Sequence, residues 1–229
     1  MKFSVNQKDL QNALNYCQGV IEKKSTLPIL SNVLVQAKEA NLRITATDLD
    51  LIFIQNISNI EISEEGETTT SCSIMYDIVR KFNNEKKINF QLINENKINL
   101  ESDNSSFNLN CLKASEFPIT DTNFKENEFI LGSKKLLKLL NKCRFSISND
   151  ETRHYLSGIF FHLTDNDNKK FLTTVATDSH RMAISKILLS NEIKFEPIIL
   201  PKKTIFQLCS ILEDYDGDVQ ISNLKSKIK

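Results

Sequence analysis

No stretch of this chain has the run of about 18 or more apolar residues that a membrane-spanning helix requires. The N-terminus, MKFSVNQKDL, lacks the apolar core of a secretory signal. Together these absences set the expectation of a cytoplasmic protein. No CxxC pair occurs among Cys17, Cys72, Cys111, Cys143 and Cys209, which are odd in number and widely spread, so reduced and mostly buried thiols are expected. The histidines, His154, His162 and His180, stand apart without the ligand spacing of zinc sites, so neither a metal nor a cofactor is expected. No serine sits in a G-x-S-x-G elbow, which removes one common hydrolase signature. Net charge is also lacking, with 29 basic and 29 acidic residues. A nucleic-acid partner therefore depends on where those charges lie.

What is present suits an ordinary folded chain. With 229 residues, 40% hydrophobic and 25% charged, the length favours two domains. Leu10, Ala13, Leu14, Cys17, Val20 and Ile21 recur at helical spacing and predict a helix over 7–24 that ends before Pro28. SNVLVQAK, LRITATD and DLIFIQNI read as a strand meander, and SIMYDIVRKF as a second helix, with the basic segment extending to 86. KINFQLI, KINL and SSFNLNCL read as hairpin strands, closed by FPI at Phe117 to Ile119. The order then starts again. Ser133 is a plausible N-cap for a helix over 133–144 with a Leu136, Leu137, Leu140, Cys143 stripe. HYLSGIFFHL and FLTTVATDSHRMAISKI read as strands, and PKKTIFQLCSIL as a helix with Pro201 at its first position.

ITATDLD (Ile44 to Asp50) and TVATDSH (Thr174 to His180) share Ala-Thr-Asp, both at the end of the second strand of their unit. The second helices fall at nearly the same offset. One pattern of helix, strands, helix and strands therefore occurs twice, the mark of an internal repeat.

TVATDSHRMAI, Thr174 to Ile184, places an aspartate, a serine, a histidine and an arginine in an apolar run. In an extended strand, Ser179 and His180 point to opposite faces and cannot form a nucleophile and base, although His154 or His162 could be a distant base. The repeat of Ala-Thr-Asp favours a structural role, with Asp48 and Asp178 setting turns through backbone hydrogen bonds. That reading leaves His180, Arg181 and Met182 unexplained, where the first copy has Asp50, Leu51 and Ile52. An amphipathic rim of this kind suits peptide recognition.

The four predicted helical segments, 7–24, 73–86, 133–144 and 201–212, hold 13 basic and 4 acidic residues. Lys134, Lys135, Lys138, Lys142 and Arg144 lie in one of them without a single acid. One such run is usually a solvated face. Four of them sharing a surface would suit a phosphate backbone, bound without sequence preference because no base-reading motif accompanies them.

MKFSV, STLPILSNVLVQA (Ser25 to Ala37), ITATDLD, FPI, RHYLSGIFF (Arg153 to Phe161) and TVATDSHRMAI together resemble the bacterial sliding clamp family, the β subunit of DNA polymerase III, over essentially the whole chain. The resemblance implies an α+β protein with a repeated DNA-clamp fold, each domain having two helices packed on curved antiparallel sheet. Clamp domain 1 would occupy 1–125 and an incomplete clamp domain 2 would occupy 126–229, with the third domain absent. It further implies a non-enzymatic processivity factor that encircles double-stranded DNA as a head-to-tail ring of two chains. Short linear peptides of the polymerase III α subunit, the clamp loader and other replication or repair proteins would bind its groove. By position, the groove residues would be Leu156, Thr177, His180, Arg181 and Met182, and the DNA contacts Lys24, Arg80, Arg153, Lys202 and Lys203. Ser179 stands where the family usually has glycine, and Asp150 where it often has an uncharged polar residue. Ending at Lys229, the chain looks truncated, and the family's homodimeric ring is not expected of it. Two alternatives stay open: an enzyme acting on a phosphorylated or peptide substrate through Asp178 and His180, and a stand-alone non-specific DNA-binding module.

Overall fold

Phe3 and Val5 turn inward between exposed Lys2 and Asn6, so the first residues form a strand, β1 (Lys2–Asn6), rather than a leader to the first helix. This computed structural model describes every residue except Ser25, Asn84, Thr120, Glu151, Asn168, Ser190 and Asn191. The chain folds as two units, Met1–Ile119 and Thr120–Lys229.

In the first unit β1 is followed by α1 (Gln7–Gln18), the meander β2 (Asn32–Lys38), β3 (Asn41–Thr47) and β4 (Ile52–Ser58), then β5 (Glu61–Glu64) and β6 (Gly66–Ser71). α2 (Cys72–Val79) and the hairpin strands β7 (Lys87–Asn94), β8 (Lys97–Ser102) and β9 (Ser105–Leu112) complete it. Among the described residues the strands form one sheet in the order β4-β3-β2-β6-β9-β8-β7-β1-β5. Leu10, Leu14 and Cys17 of α1 and Met75 and Val79 of α2, all at most 1% exposed, share a core with the inner face of the sheet. Each such aliphatic side chain contributes about 1.5–3 kcal/mol by leaving water.

Both helices are shorter than their apolar spacing predicts. α1 stops at Gln18 because Gly19 caps it and the Val20 and Ile21 amides both fall back on the Cys17 carbonyl at 3.0 Å. Val20 and Ile21 stay buried in the turn that follows, which is why the helical stripe reads on past the helix. α2 ends at Val79, and Phe82 is buried from the tightened turn beyond it. The strand β6 escapes a pattern search because its buried residues, on both faces of the strand, are threonines. Thr69 and Thr70 are fully buried, with hydroxyls donating to the Leu112 and Asn110 carbonyls at 3.2 and 3.0 Å.

The second unit repeats the design with β10 (Phe129–Gly132), α3 (Ser133–Cys143), β11 (Gly158–Asn166), β12 (Lys169–Thr177) and β13 (Met182–Leu188). β14 (Ile198–Pro201), α4 (Lys202–Glu213), β15 (Asp218–Ile221), β16 (Asn223–Leu224) and β17 (Lys227–Ile228) follow. The order β13-β12-β11-β14 reproduces β4-β3-β2-β6, and the pair β10-β15 reproduces β1-β7. Leu136, Leu139, Leu140 and Cys143 of α3 meet Ile205, Cys209 and Leu212 of α4 in a second core.

Three local expectations are corrected. Ser133 is the first helical residue of α3, not its cap; Gly132 takes that place, while Ser133 exchanges hydrogen bonds with the Gly217 backbone at 2.8 and 3.2 Å. His154–Leu156 forms a 3-10 turn instead of a strand. Pro201 precedes α4 as the last residue of β14, where its missing amide leaves no ladder bond unmade.

Candidate peptide-binding site and nucleic-acid interface

The repeated Ala-Thr-Asp builds the same turn twice. After β3, Thr47 Oγ1 accepts from the Leu49 amide at 3.0 Å, and Asp48 Oδ1 from the Asp50 and Leu51 amides at 3.1 and 2.7 Å. After β12, Thr177 Oγ1 accepts from the Ser179 amide at 3.2 Å, and Asp178 Oδ1 from the His180 and Arg181 amides at 3.0 and 2.9 Å. Leu49 and Ser179 occupy the same left-handed position, at φ 84° and 78°. The expected continuous strand through Ser179 and His180 is therefore broken. Alternation does not keep those two side chains apart; a tight turn holds them, and Asp178 fixes it.

The Asp178 carboxyl is held below the usual carboxylate range, first by the Arg181 and His180 amides and then by the Arg181 guanidinium, whose Nε lies 2.9 Å from Oδ2. A carboxylate so committed is a poor general base at neutral pH. The turn presents what the sequence leaves unexplained: His180, Arg181 and Met182 are exposed, Met182 to 64%. Arg181 also lies over the Phe145 ring, 5.6 Å from its centroid. Phe145, 56% exposed just past α3, is a rim residue that its sequence position does not reveal.

Leu156 reaches the same region through its loop. Its carbonyl accepts from the Ser148 amide at 3.0 Å, and the Ser157 hydroxyl donates to the Asp150 carbonyl at 3.1 Å, which ties Ser148 and Asp150 to Leu156 and Ser157 in a knot. Arg153 ties that knot to the turn, donating from Nη1 to Ser179 Oγ at 2.8 Å and from Nε to Asp150 Oδ2 at 2.8 Å. The Asp150 carboxyl is lowered by the Thr152 hydroxyl and amide and then by Arg153. Leu156 and Thr177 are half-buried, while His180, Arg181 and Met182 are exposed.

The residues assigned to DNA are spread over both units. Lys24 is exposed in the turn after α1 rather than on the helix. Arg80 caps α2, paired with Asp77 at 3.0 Å. Lys202 and Lys203 open α4, and Lys202 Nζ donates to Asn149 Oδ1. Arg153 has its guanidinium engaged as described. Within their observed bounds the four helices hold seven basic and three acidic side chains, so much of the expected helical charge lies in the segments that follow them.

All five cysteines are free and buried, as reduced thiols should be. Burial pushes the Cys111, Cys143 and Cys209 thiols up, and a hydrogen bond with the Cys72 thiol together with burial does so for Cys17. His162 lies on β11 stacked against Phe160 at 4.7 Å, away from the turn. Burial holds its imidazole below the usual range, and its Nδ1 has no partner among the described residues.

The description of the DNA polymerase III beta subunit N-terminal domain matches residues 1–121, and that of its central domain matches 130–229. The chain belongs to this family. It is 30% identical to the beta sliding clamp of Caulobacter vibrioides (strain NA1000 / CB15N), covering 100% of this chain and 62% of that protein. The Rickettsia felis beta sliding clamp is 32% identical, with 100% and 60% covered. The chain thus spans about 60% of the length of these relatives. Of solved structures, Caulobacter crescentus pol III beta superposes with a TM-score of 0.94 at 30% identity, covering 100% of this chain and 62% of that one. A sliding clamp from Bartonella birtlesii bound to griselimycin gives 0.92 at 33% identity, with 100% and 61% covered. The α+β fold with its repeated clamp domain is therefore the family's fold.

Proposed function

We propose that this chain serves DNA replication as a sliding clamp of DNA polymerase III, a non-catalytic cytoplasmic tether. In this reading it follows double-stranded DNA without reading its sequence. It holds the polymerase α subunit, the clamp loader and other replication or repair proteins by short linear peptides bound at Leu156, Thr177, His180, Arg181 and Met182. The observation that carries the peptide site is the twin turn. The same hydrogen bonds are built twice, but only the second copy carries an exposed His-Arg-Met rim and a bridge to the Leu156 loop. A turn needed for folding alone has no use for that difference. Lys24, Arg80, Lys202 and Lys203 are the proposed phosphate contacts, with Arg153 joining them only by exchanging Ser179 for a phosphate.

The test is an NMR titration of the 229-residue chain with a short peptide rich in Leu and Phe. Shifts should centre on Leu156, Thr177 and Met182, and Met182→Ala should weaken binding several-fold, as loss of an apolar anchor does. Shifts confined to other regions would reject the site. An enzyme would instead lose turnover in His180→Ala with no partner peptide present.

A further inference from the structure

Near the end of α1 and at the start of α2, two cysteines turn into the same core. Cys17 is the last buried residue of the α1 stripe, and Cys72 is the first residue of α2. Both are 0% exposed and lie in the first unit's cluster of apolar side chains. Contacts with α1 fix where the Cys72 sulfur lies. Its thiol points to the Leu14 carbonyl at 3.9 Å, and the Gln18 side-chain amide donates to the sulfur at 3.4 Å. The Ser73 hydroxyl donates to Gln18 Oε1 at 3.1 Å, so Gln18 holds both residues that open α2. Leu14 and Gln18 are one helical turn apart, and Cys17 lies in that turn on its buried side. The two thiols are accordingly hydrogen-bonded to each other.

The second unit has the same helices without the pair. Cys143 closes α3, but α4 opens with Lys202 where α2 opens with Cys72. The Cys143 sulfur faces the Thr174 and Ala183 carbonyls at 3.5 and 3.7 Å, and the Cys209 sulfur faces Asn141 Oδ1 at 3.8 Å. In the first unit Cys111 faces the Glu95 carbonyl at 3.5 Å. Burial is common to all five cysteines. Contact with a second thiol is what sets Cys17 and Cys72 apart among the described residues.

We infer that Cys17 and Cys72 form an oxidative modification site, which closes to a disulfide under hydrogen peroxide and reopens under a dithiol. Cys72 reacts first, because the Gln18 amide donates to its sulfur and helps it carry negative charge. Its thiolate attacks one peroxide oxygen, the O–O bond breaks, and a sulfenic acid and hydroxide form; the hydroxide takes up the proton that Cys72 released. The Cys17 sulfur then attacks the Cys72 sulfur, the S–O bond breaks, and the departing hydroxide leaves as water with the Cys17 proton. The two thiols are oxidised by two electrons in all, and the peroxide is reduced to two waters. Since both sulfurs are buried, peroxide reaches them through local opening of the last turn of α1. The bond closes a long loop holding β2 to β6, so the oxidised first unit should resist unfolding.

The experiment treats the folded 229-residue chain with hydrogen peroxide, blocks the remaining thiols with iodoacetamide in denaturant, and maps a digest by mass spectrometry without reductant. The expected product is a Cys17 peptide joined to a Cys72 peptide, with Cys111, Cys143 and Cys209 alkylated. The thermal midpoint should rise by several degrees and return when dithiothreitol, itself oxidised to its cyclic disulfide, is added. Cys72→Ala should abolish the cross-link, and Cys143→Ser should leave it unchanged. If Cys72→Ala does not fold, the map of the parent chain decides. Cys17 and Cys72 that stay alkylatable, or oxidation that stops at a sulfinic acid on either, would overturn the inference. So would cross-links to other cysteines in equal yield, or a Cys17 to Cys72 bond that forms no faster in the folded chain than in urea.

Discussion

Asp178 and Ser179 show how single side chains set the candidate site. The Asp178 carboxylate is stabilised in the folded turn, so its folded value lies below its unfolded one. Its contribution is present above the unfolded carboxylate value, about 4, and is lost as pH falls through the lower folded value. Carbon-detected NMR should therefore find Asp178 titrating below the usual range, and the His180 and Arg181 amide signals should move with it. A titration at the ordinary value would show that these hydrogen bonds do not hold in solution. Ser179 combines two opposed effects. Its left-handed φ costs on the order of 1 kcal/mol, and its hydrogen bond to Arg153 returns about as much. Ser179→Gly should leave the thermal midpoint nearly unchanged while freeing Arg153, so that low-salt DNA affinity rises. A large loss of stability with unchanged DNA binding would contradict this.

Among the elements, α3 and the β11–β14 pairing each offer a single position that tests the second unit. Leu139 and Leu140 are fully buried between α3 and the sheet. Leu140→Ala should cost about 2–5 kcal/mol, from lost transfer energy and a cavity, measured by urea denaturation. Leu137, only partly buried, should cost less when truncated. Gly158 opens β11 where a Cβ would collide with the Leu200 carbonyl oxygen. Backbone cannot yield as a flexible side chain can, so Gly158→Ala should separate β11 from β14. The bond from the Lys202 amide to the Ser157 carbonyl, 2.9 Å, should be lost with it. A Gly158→Ala chain as stable as the parent would disprove this close approach.

For the whole molecule, the proposed DNA contact rests on dispersed basic groups. Association should weaken steeply with salt, because each neutralised phosphate releases counterions. Lys24→Glu with Arg80→Glu should lower affinity on every duplex tested and flatten the salt slope. A strong preference for one sequence would point to a specific reader instead. Arg153 should matter less than its position suggests, since Asp150 and Ser179 already occupy its guanidinium.

The repeat, part of the helix cores and both Asp-centred turns were legible in the sequence, because each rests on local rules: spacing around a helix, alternation along a strand, and a short polar side chain reaching its own backbone; Leu139, fully buried, lay outside the stripe read for α3. The β6 strand was not, since its buried threonines look polar until their hydroxyls find carbonyls on β9. The helix ends were not, since Val20, Ile21 and Phe82 stay buried beyond them. Likewise, only tertiary structure joined Arg153 to Ser179, 26 residues away, and set Phe145 under Arg181. It alone also decided that the row of Leu34, Thr45 and Thr69 is dry. Burial is a property of what lies across a face, and the sequence of a strand does not contain its covering segment.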